Sequence, residues 1–326
     1  KRKKIIEVKY NKNYQPFNKI NIVKARINGK YDVVYDLFDS TDWLLGETEE
    51  KNLSYFHEYL QCDYYFKRSF NKAFQQRISN HTTVLPFGFN YPVNVKHILK
   101  HRILNELKEF IDNPFFHRYF KFNTHSVPPH EFEHLPVPNK ENRIIFLVRL
   151  WDPKGANEKI ESKEISDERE QINISRVNCI TACKKEFGDL FLGGVQDIPF
   201  SRKYCPDLIL PRYITSRQSY LKNVKSSNIC VATTGLHGSI GWKFAEYIAA
   251  ARAIVTEPLN FEVPGEFAES KNYLTFETTD ELISKIFFLQ RNRDEMRKMM
   301  IANYQYYQAY LRPDILVLNT LLQISE

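Results

Sequence analysis

The sequence of 326 residues contains no uninterrupted apolar run long enough to cross a bilayer as a helix, which requires about 20 residues. It also shows no basic start followed by an apolar block, the pattern of a secretory signal peptide. We therefore expect a cytoplasmic protein. With 43% hydrophobic residues at this length, the chain can bury a sizeable core, and two domains are expected rather than one.

Cysteine is scarce: only five are present, an odd number, and none form a C-x-x-C pair. This argues against a disulfide framework and a structural zinc site. The net charge of +7 is moderate and comes partly from the opening KRKK, so anionic small ligands are expected but no nucleic-acid partner. The same basic stretch predicts peripheral contact with an anionic membrane surface.

One literal zinc-protease motif, H-E-x-x-H, is present at His130, Glu131 and His134. Two histidines at this spacing reach one zinc ion only from one face of a helix. Two prolines precede the motif and two follow it, and they disfavour helix on both sides. We therefore expect a polar interdomain linker with no metal. A zinc hydrolase is the alternative, which metal analysis would decide.

The first part of the chain alternates short β-rich runs with helical ones, a pattern typical of a parallel sheet with crossover helices. The Pro-, His- and Asn-rich stretch 123–142 then provides the best domain boundary, near residue 137. Strands are predicted in 21–28, 31–38, 62–69 and 82–90, and helices in 49–60 and 95–113.

A second α/β unit begins with the continuous apolar run 143–150, as expected of a strand covered on both faces. The tail 293–326 is predicted to form one or two amphipathic helices that break at Arg312-Pro313 and pack back on the first domain. The fold class is therefore α/β with two domains facing a cleft, divided as 1–137, 138–300 and 301–326. Further strands are predicted in 189–194, 228–234, 252–257 and 272–276, and helices in 166–187, 215–227, 241–251 and 278–292.

The most informative block joins a buried strand to a helix in the second half. Thr233 and Thr234 lead into a loop that contains Gly235, Gly238 and Gly241. A glycine loop and a helix N-terminus at the carboxyl edge of a parallel sheet favour a bound phosphate. The loop lacks the Lys-Ser/Thr of a Walker A motif and the spacing of the dinucleotide fingerprint. Glycines that only turn a strand into a helix are the alternative.

Glu246 lies in the first turns of that helix, on an otherwise apolar face. A carboxylate there can accept two vicinal hydroxyls, as a ribose presents them; otherwise it caps the helix or forms a salt bridge.

At this point the chain resembles a known family, the group 1 (GT4-like) glycosyltransferases of GT-B fold. Glu246 and the following AARAIV are similar to that family's E-A-x-A-x-G-x-P-V-V segment, and FLVRLWDPKG (146–155) is similar to its V-G-R-L-x-x-x-K-G segment. The resemblance implies two Rossmann-like domains, a nucleoside-diphosphate-sugar donor and no cofactor. It also implies that Glu246 binds the donor ribose, while Arg149 and Lys154 hold the diphosphate.

The chain departs from the family pattern at two positions: Gly238 stands where a second glutamate is common, and Val148 replaces a glycine. Backbone amides of 238–241, or His237, are expected to replace the missing glutamate's contact with the sugar. The predicted donor-binding set around the loop also includes Thr234, Gly235, Gly238, Ser239, Ile240, Gly241, Lys243 and Glu257.

Three cations, Arg149, Lys154 and Lys243, are expected to stabilise charge on the departing diphosphate, so no metal is required. In the first domain, Asp39 or Asp42 is expected to orient or deprotonate the acceptor hydroxyl. A solvated acidic turn is the alternative there.

The expected function is transfer of a sugar to a hydroxyl acceptor in bacterial surface glycan synthesis, such as lipopolysaccharide or capsule, with retention of anomeric configuration favoured. The alternative is a non-catalytic module that holds a nucleotide or nucleic-acid phosphate on the same loop.

Overall fold

The computed structural model describes residues 21–44, 47–78, 81–91, 93, 127–155 and 162–325. The helix predicted in 95–113 and the basic KRKK stretch lie outside these residues. Within them, no helix is both long and apolar enough to cross a membrane.

The first sheet has four strands in the order of the chain: β1 (Ile22–Ile27), β2 (Tyr31–Asp36), β3 (Tyr64–Lys67) and β4 (Thr83–Pro86). Helix α1 (Glu49–Tyr55), prolonged by a π-helical turn at Phe56–Leu60, connects β2 to β3, and α2 (Lys72–Ile78) connects β3 to β4. Both connections join parallel strands, as predicted.

The pairing of β1 with β2 corrects the sequence prediction of a purely parallel sheet, because these two strands are antiparallel. The turn between them has Asn28 at φ 54° and Gly29 at φ 67°, and Lys30 N–H donates to Ile27 O at 3.0 Å. Two positive φ angles are what a tight hairpin turn needs, and Asn-Gly is its usual sequence. The first sheet is therefore mixed.

The second sheet has five strands: β5 (Ile144–Val148), β6 (Phe191–Val195), β7 (Ile229–Ala232), β8 (Ala253–Thr256) and β9 (Leu274–Thr275). All are parallel, and their order in the sheet is β6-β5-β7-β8-β9. Because β5 lies between β6 and β7, the chain leaves β5 toward one edge of the sheet and leaves β7 toward the other edge. These diverging connections open a crevice between the carboxyl ends of β5 and β7.

Helices cover both faces of this sheet, which is why its strands are continuously apolar rather than alternating. On one face α3 (Lys163–Phe187) packs with α8 (Thr279–Arg291), and on the other α6 (Arg217–Ser226) packs with α7 (Trp242–Ala249). Every strand and helix predicted in this half is confirmed to within a few residues. The remaining helices of this half are α4 (Pro199–Tyr204), α5 (Arg212–Thr215) and α9 (Arg293–Tyr306).

Around the H-E-x-x-H motif, Pro129–Glu131 form a short 3₁₀ turn. His130 and His134 of the motif therefore do not share a helical face. The His134 ring contacts the guanidinium of Arg252, with Nδ1 and Nη2 3.2 Å apart. Arg252 is fully buried and also donates to Leu135 O at 2.6 Å and Ser227 O at 3.2 Å. This arginine therefore ties the segment to the second sheet.

The C-terminal helix α10 (Pro313–Ser325) begins after Arg312, at the predicted break. It contacts the first sheet, where Thr320 Oγ1 lies 3.0 Å from Tyr35 Oη and Ile324 packs with Val33. The domain boundaries near 137 and 300 stay predictions.

Candidate functional site

The glycine loop, residues 233–241, connects the end of β7 to the start of α7. Its start lies beside the end of β5, from which Arg149 follows directly. These are the two strand ends that flank the crevice of the second sheet. The structure therefore brings the predicted loop and the predicted diphosphate-binding segment to one edge.

Short hydrogen bonds fold the loop back on itself. Gly235 N–H donates to Ser239 O at 2.7 Å, and a 3₁₀ turn at Leu236–Gly238 places His237 and Gly238 in the left-handed region at φ 60° and 61°. A Cβ on Gly238 would lie 2.7 Å from Nδ2 of Asn260, so a larger residue there would displace that amide. The left-handed backbone angle therefore favours glycine here, whereas a shift of the Asn260 side chain relieves the contact with a Cβ.

Two of the amides at 238–241, which were predicted to contact the sugar, already have acceptors: Gly238 N–H donates to Glu168 Oε1 at 3.2 Å, and Ser239 N–H donates to Leu236 O at 3.1 Å. At the start of α7, Phe244 N–H donates to Gly241 O at 3.0 Å, whereas no helical carbonyl precedes the N–H groups of Trp242 and Lys243 to accept them. These groups follow Ile240 and Gly241, which line a small pocket together with Thr234 and Phe244. The helix start is therefore the part of the loop best suited to an anion.

Arg176 of α3 joins the loop to the end of β5. It is 9% exposed and donates to Arg149 O at 2.6 Å, Thr234 O at 3.1 Å and Thr233 Oγ1 at 3.1 Å. Burial lowers its pKa to about 10, while Glu257 acts in the opposite direction. Arg176 is not among the site residues predicted from the sequence. Its signal was an arginine at a core position of a helix, in the same stripe as Ile172, Cys179 and Ile180.

Lys243 reaches the same strand from α7, and its ammonium donates to Leu147 O. Burial lowers its pKa to about 8 against the opposing effect of Glu246, and nearby Arg176 and Arg217 contribute to the lowering. Two cations thus lie against the loop, and their hydrogen-bond acceptors are mainly carbonyl and hydroxyl oxygens. Partial charges of this kind leave much of the positive charge available to a bound anion.

Glu257, which follows β8, anchors Thr234 at the start of the glycine loop. Its Oε2 accepts from Thr234 N–H at 2.7 Å and from Thr234 Oγ1 at 2.8 Å, and its Oε1 accepts from Ser175 Oγ at 2.5 Å. The described contacts of Glu257 are therefore with the loop and α3, and its predicted contact with the donor stays a prediction.

Glu246 lies in the packed interior between α6 and α7, with 4% of its surface exposed. Its Oε1 accepts from Arg217 Nη2 at 2.9 Å and its Oε2 accepts from Tyr220 Oη at 2.5 Å. Arg217 also lies over the Phe132 ring, with its side chain 25% exposed. The ribose role stays a prediction, and it requires a ligand to reach Glu246 past Arg217.

Arg149, which directly follows β5, and Lys154, five residues further along the chain, are both exposed. The Arg149 guanidinium lies 5.4 Å from the ring centroid of Trp151, and Lys154 N–H donates to Asp152 Oδ1 at 3.0 Å in the following turn. Unlike Arg176 and Lys243, these two side chains are open to a ligand from solvent.

The two candidate aspartates of the first domain lie in different surroundings. Asp39 forms an ion pair with Arg68, and Arg68 Nη2 donates to Ile240 O at 2.5 Å, so Asp39 lies at the glycine loop. Asp42 instead lines a cavity of about 140 Å³ between α1 and α2, with Glu49 and Arg77.

Asp36, the third carboxylate of this turn, is fully buried and accepts from Trp43 Nε1 at 2.9 Å and Tyr65 Oη at 2.5 Å, so it is a structural residue. Among the described residues, no group of three or more His, Cys, Asp or Glu is arranged to hold a metal ion.

No protein-family model and no curated protein matches the sequence. Among solved structures, the chain is similar to the C-terminal domain of LpcC, a glycosyl transferase group 1 family protein from Francisella tularensis, at 14% identity over 55% of this chain and 95% of that one, with a TM-score of 0.36. It is similar to HepE of Anabaena, in complex with UDP and glucose, at 11% identity over 86% and 68% of the two chains, with a TM-score of 0.44. It is also similar to the pneumococcal O-GlcNAc transferase GtfA, in complex with UDP and GlcNAc, at 13% identity, a TM-score of 0.40 and 82% of this chain, but it spans only 46% of that protein.

Proposed function

We propose that this chain transfers a sugar from a nucleoside-diphosphate donor to a hydroxyl acceptor, with the diphosphate held at the start of α7. The observation that carries the proposal is the placement of Arg176 and Lys243. The two side chains come from helices on opposite faces of the second sheet, and both reach the carboxyl end of β5. This strand end lies beside the glycine loop, at the crevice of the sheet. Neither cation donates a hydrogen bond to a carboxylate, although Glu257 and Glu246 raise their pKa values from nearby, and holding positive charge out of water in this way is costly for the folded protein. A phosphate ligand offsets that cost.

The chemistry follows from where charge develops. When a sugar leaves a nucleoside diphosphate, negative charge grows on the departing phosphate oxygen, and fixed cations aimed at that oxygen lower the barrier. In this proposal the exposed side chains of Arg149 and Lys154 bind the diphosphate from the solvent side, while Lys243 and the first N–H groups of α7 act from the protein side. In this proposal the side chains supply the charge stabilisation, and the reaction is metal-independent.

In this proposal the acceptor binds on the side of the first domain. The parallel strands β2 to β4 have their carboxyl ends toward the glycine loop, where Asp39 pairs with Arg68 and Arg68 donates to Ile240 O. We extend the proposal to a glycan or glycolipid acceptor in bacterial surface polysaccharide synthesis at the cytoplasmic face of a membrane, with retention of configuration. These details rest on the resemblance to the group 1 glycosyltransferases.

The first experiment is a calorimetric titration with UDP, GDP, ADP and CMP, followed by assay of donor hydrolysis with the matching nucleotide sugars. Arg149→Ala and Lys154→Ala are each expected to weaken binding about 10-fold to 100-fold, since each removes one charged contact with the diphosphate. Lys185→Ala is the matched control, because this exposed lysine lies near the other end of α3, away from the crevice.

Two results would contradict the proposal. If no nucleotide binds, or if the two crevice variants bind as tightly as Lys185→Ala does, the diphosphate site is elsewhere or absent. If nucleotides bind at the loop but no nucleotide sugar is hydrolysed or transferred, the chain is a binding module and not an enzyme.

A further inference from the structure

Arg68 follows β3, and its side chain contacts the glycine loop from the first sheet. It is 4% exposed, and its two terminal nitrogens have different partners: Nη1 pairs with Asp39, and Nη2 donates to Ile240 O at 2.5 Å. Two residues later, Phe70 O accepts from Glu262 N–H at 2.9 Å. The end of β3 is therefore docked on the second unit by side chain and backbone together.

The neighbouring lysine fixes the position of Asp39. Lys67 is fully buried, and its ammonium donates to Phe38 O at 2.7 Å and to Ser40 O at 2.9 Å, the carbonyls on either side of Asp39. Because both flanking peptides are held, the Asp39 carboxylate is presented to Arg68 in a fixed position. Asp39 thus serves as the counter-ion of a buried arginine.

The contact with Ile240 has a consequence for the loop. In a trans peptide the C=O and the following N–H point in opposite directions, so holding Ile240 O also fixes the direction of Gly241 N–H. Gly241 is the N-cap of α7 and lines the loop pocket. Arg68 therefore controls the orientation of a backbone group at the helix start where the anion is expected to bind.

We propose that Arg68 is a positioning residue for the diphosphate, through which the first domain sets the conformation of the glycine loop, and that Asp39 is its counter-ion rather than the base for the acceptor. This inference rests on the proposed function. It assigns Asp39 a role different from the one expected from its sequence position.

Arginine is needed at this position because one planar guanidinium donates to two partners in fixed directions. The ammonium of a shorter lysine side chain does not reproduce this pair of contacts. Arg68→Lys keeps the charge and is the main test variant, and Arg68→Met removes it. Tyr35→Phe is the matched control, because it deletes a hydroxyl where the first sheet contacts α10, away from the loop.

The measurements are the Kd for UDP, or for whichever of the four nucleotides the wild-type protein binds, the KM and kcat of donor hydrolysis, and the melting temperature. Arg68→Lys is expected to raise Kd and KM about tenfold, the effect of one misplaced hydrogen bond to a charged ligand. Tyr35→Phe should change the melting temperature only. If Arg68→Lys changes only the melting temperature as well, Arg68 is merely structural and the inference is wrong.

The role of Asp39 is tested by a double-mutant cycle in the transfer reaction. Asp39→Asn retains an acceptor for Arg68, so we expect kcat to change less than about threefold, and the double variant with Arg68→Met to be no worse than Arg68→Met alone. A base would instead cost about 100-fold or more in kcat, independently of Arg68. A wild-type protein that binds no nucleotide would defeat the proposed function itself, whereas normal binding by Arg68→Lys would defeat only this inference.

Discussion

Replacement of Lys243 by methionine should stabilise the free protein while weakening its binding of a diphosphate. Burial lowers the pKa of Lys243 from 10.5 to about 8, which corresponds to a cost of about 3 kcal/mol for holding the charged ammonium in the folded protein. The variant also loses the hydrogen bond to Leu147 O, which offsets about 1–2 kcal/mol of that gain. We therefore expect Lys243→Met to be more stable than the wild type by about 1–2 kcal/mol at pH 7.

The difference depends on pH with a definite sign. Because the pKa of Lys243 is lower in the folded protein than in the unfolded chain, the unfolded chain binds more protons between pH 8 and pH 10.5, so wild-type stability rises with pH there. Below pH 8 the full cost is present. Urea unfolding at pH 7, 8, 9 and 10 should show the advantage of Lys243→Met shrinking as the pH rises.

A bound diphosphate reverses the balance at this residue. One negative charge about 4 Å from the ammonium contributes about 4 kcal/mol at an effective dielectric constant near 20, which exceeds the cost of burial. Wild-type affinity should therefore decrease above pH 8, with proton uptake on binding. Lys243→Met should bind about 10-fold to 100-fold more weakly at pH 7. Calorimetry in buffers of different ionisation enthalpy measures both quantities, and equal affinity of wild type and variant at pH 7 would refute the reasoning.

Two further changes test the supports of the loop and the fold of the first sheet. Glu257→Gln weakens the acceptor shared by Thr234 and Ser175. We therefore expect the free energy of unfolding, measured in urea, to fall by about 1–3 kcal/mol. An unchanged urea midpoint would show that these hydrogen bonds do not anchor the loop. Gly29→Ala places a Cβ on a residue at φ 67° with open space around it, so the loss of about 1 kcal/mol in the free energy of unfolding should be purely conformational. Gly29→Asn should lose less stability, because asparagine tolerates the left-handed region better than alanine. Equal losses of stability in the two variants would mean that the left-handed angle is not the cause.

Local patterns in the sequence were sufficient for most of the secondary structure. The strands β5 to β9 were predictable because each is a short apolar run that ends at turn residues, and the break before α10 was predictable because proline stops a helix. The direction of β1 was also readable from the Asn-Gly pair, since a two-residue hairpin turn needs two positive φ angles in succession and Asn-Gly is its usual sequence. The error there came from weighing strand alternation above turn chemistry.

The position of the candidate site was predictable for a similar reason. A glycine loop between a strand and a helix must lie at the carboxyl edge of a parallel sheet, so its nearness to the segment after β5 depended only on the two strands being neighbours. Arg149, Lys154 and the loop could therefore be grouped from the order of the strands and their following segments.

The partners of the charged side chains depended on tertiary structure. Glu246 is paired with Arg217 and Tyr220, and Arg68 spans 172 residues to reach Ile240. Periodicity and turn residues were enough to predict where the strands, helices and glycine loop lie, because these signals act over a few neighbouring residues. Only the packed fold decided which carboxylates are open and which are already neutralised, because Coulomb energy and burial depend on distance in space and not on separation along the chain.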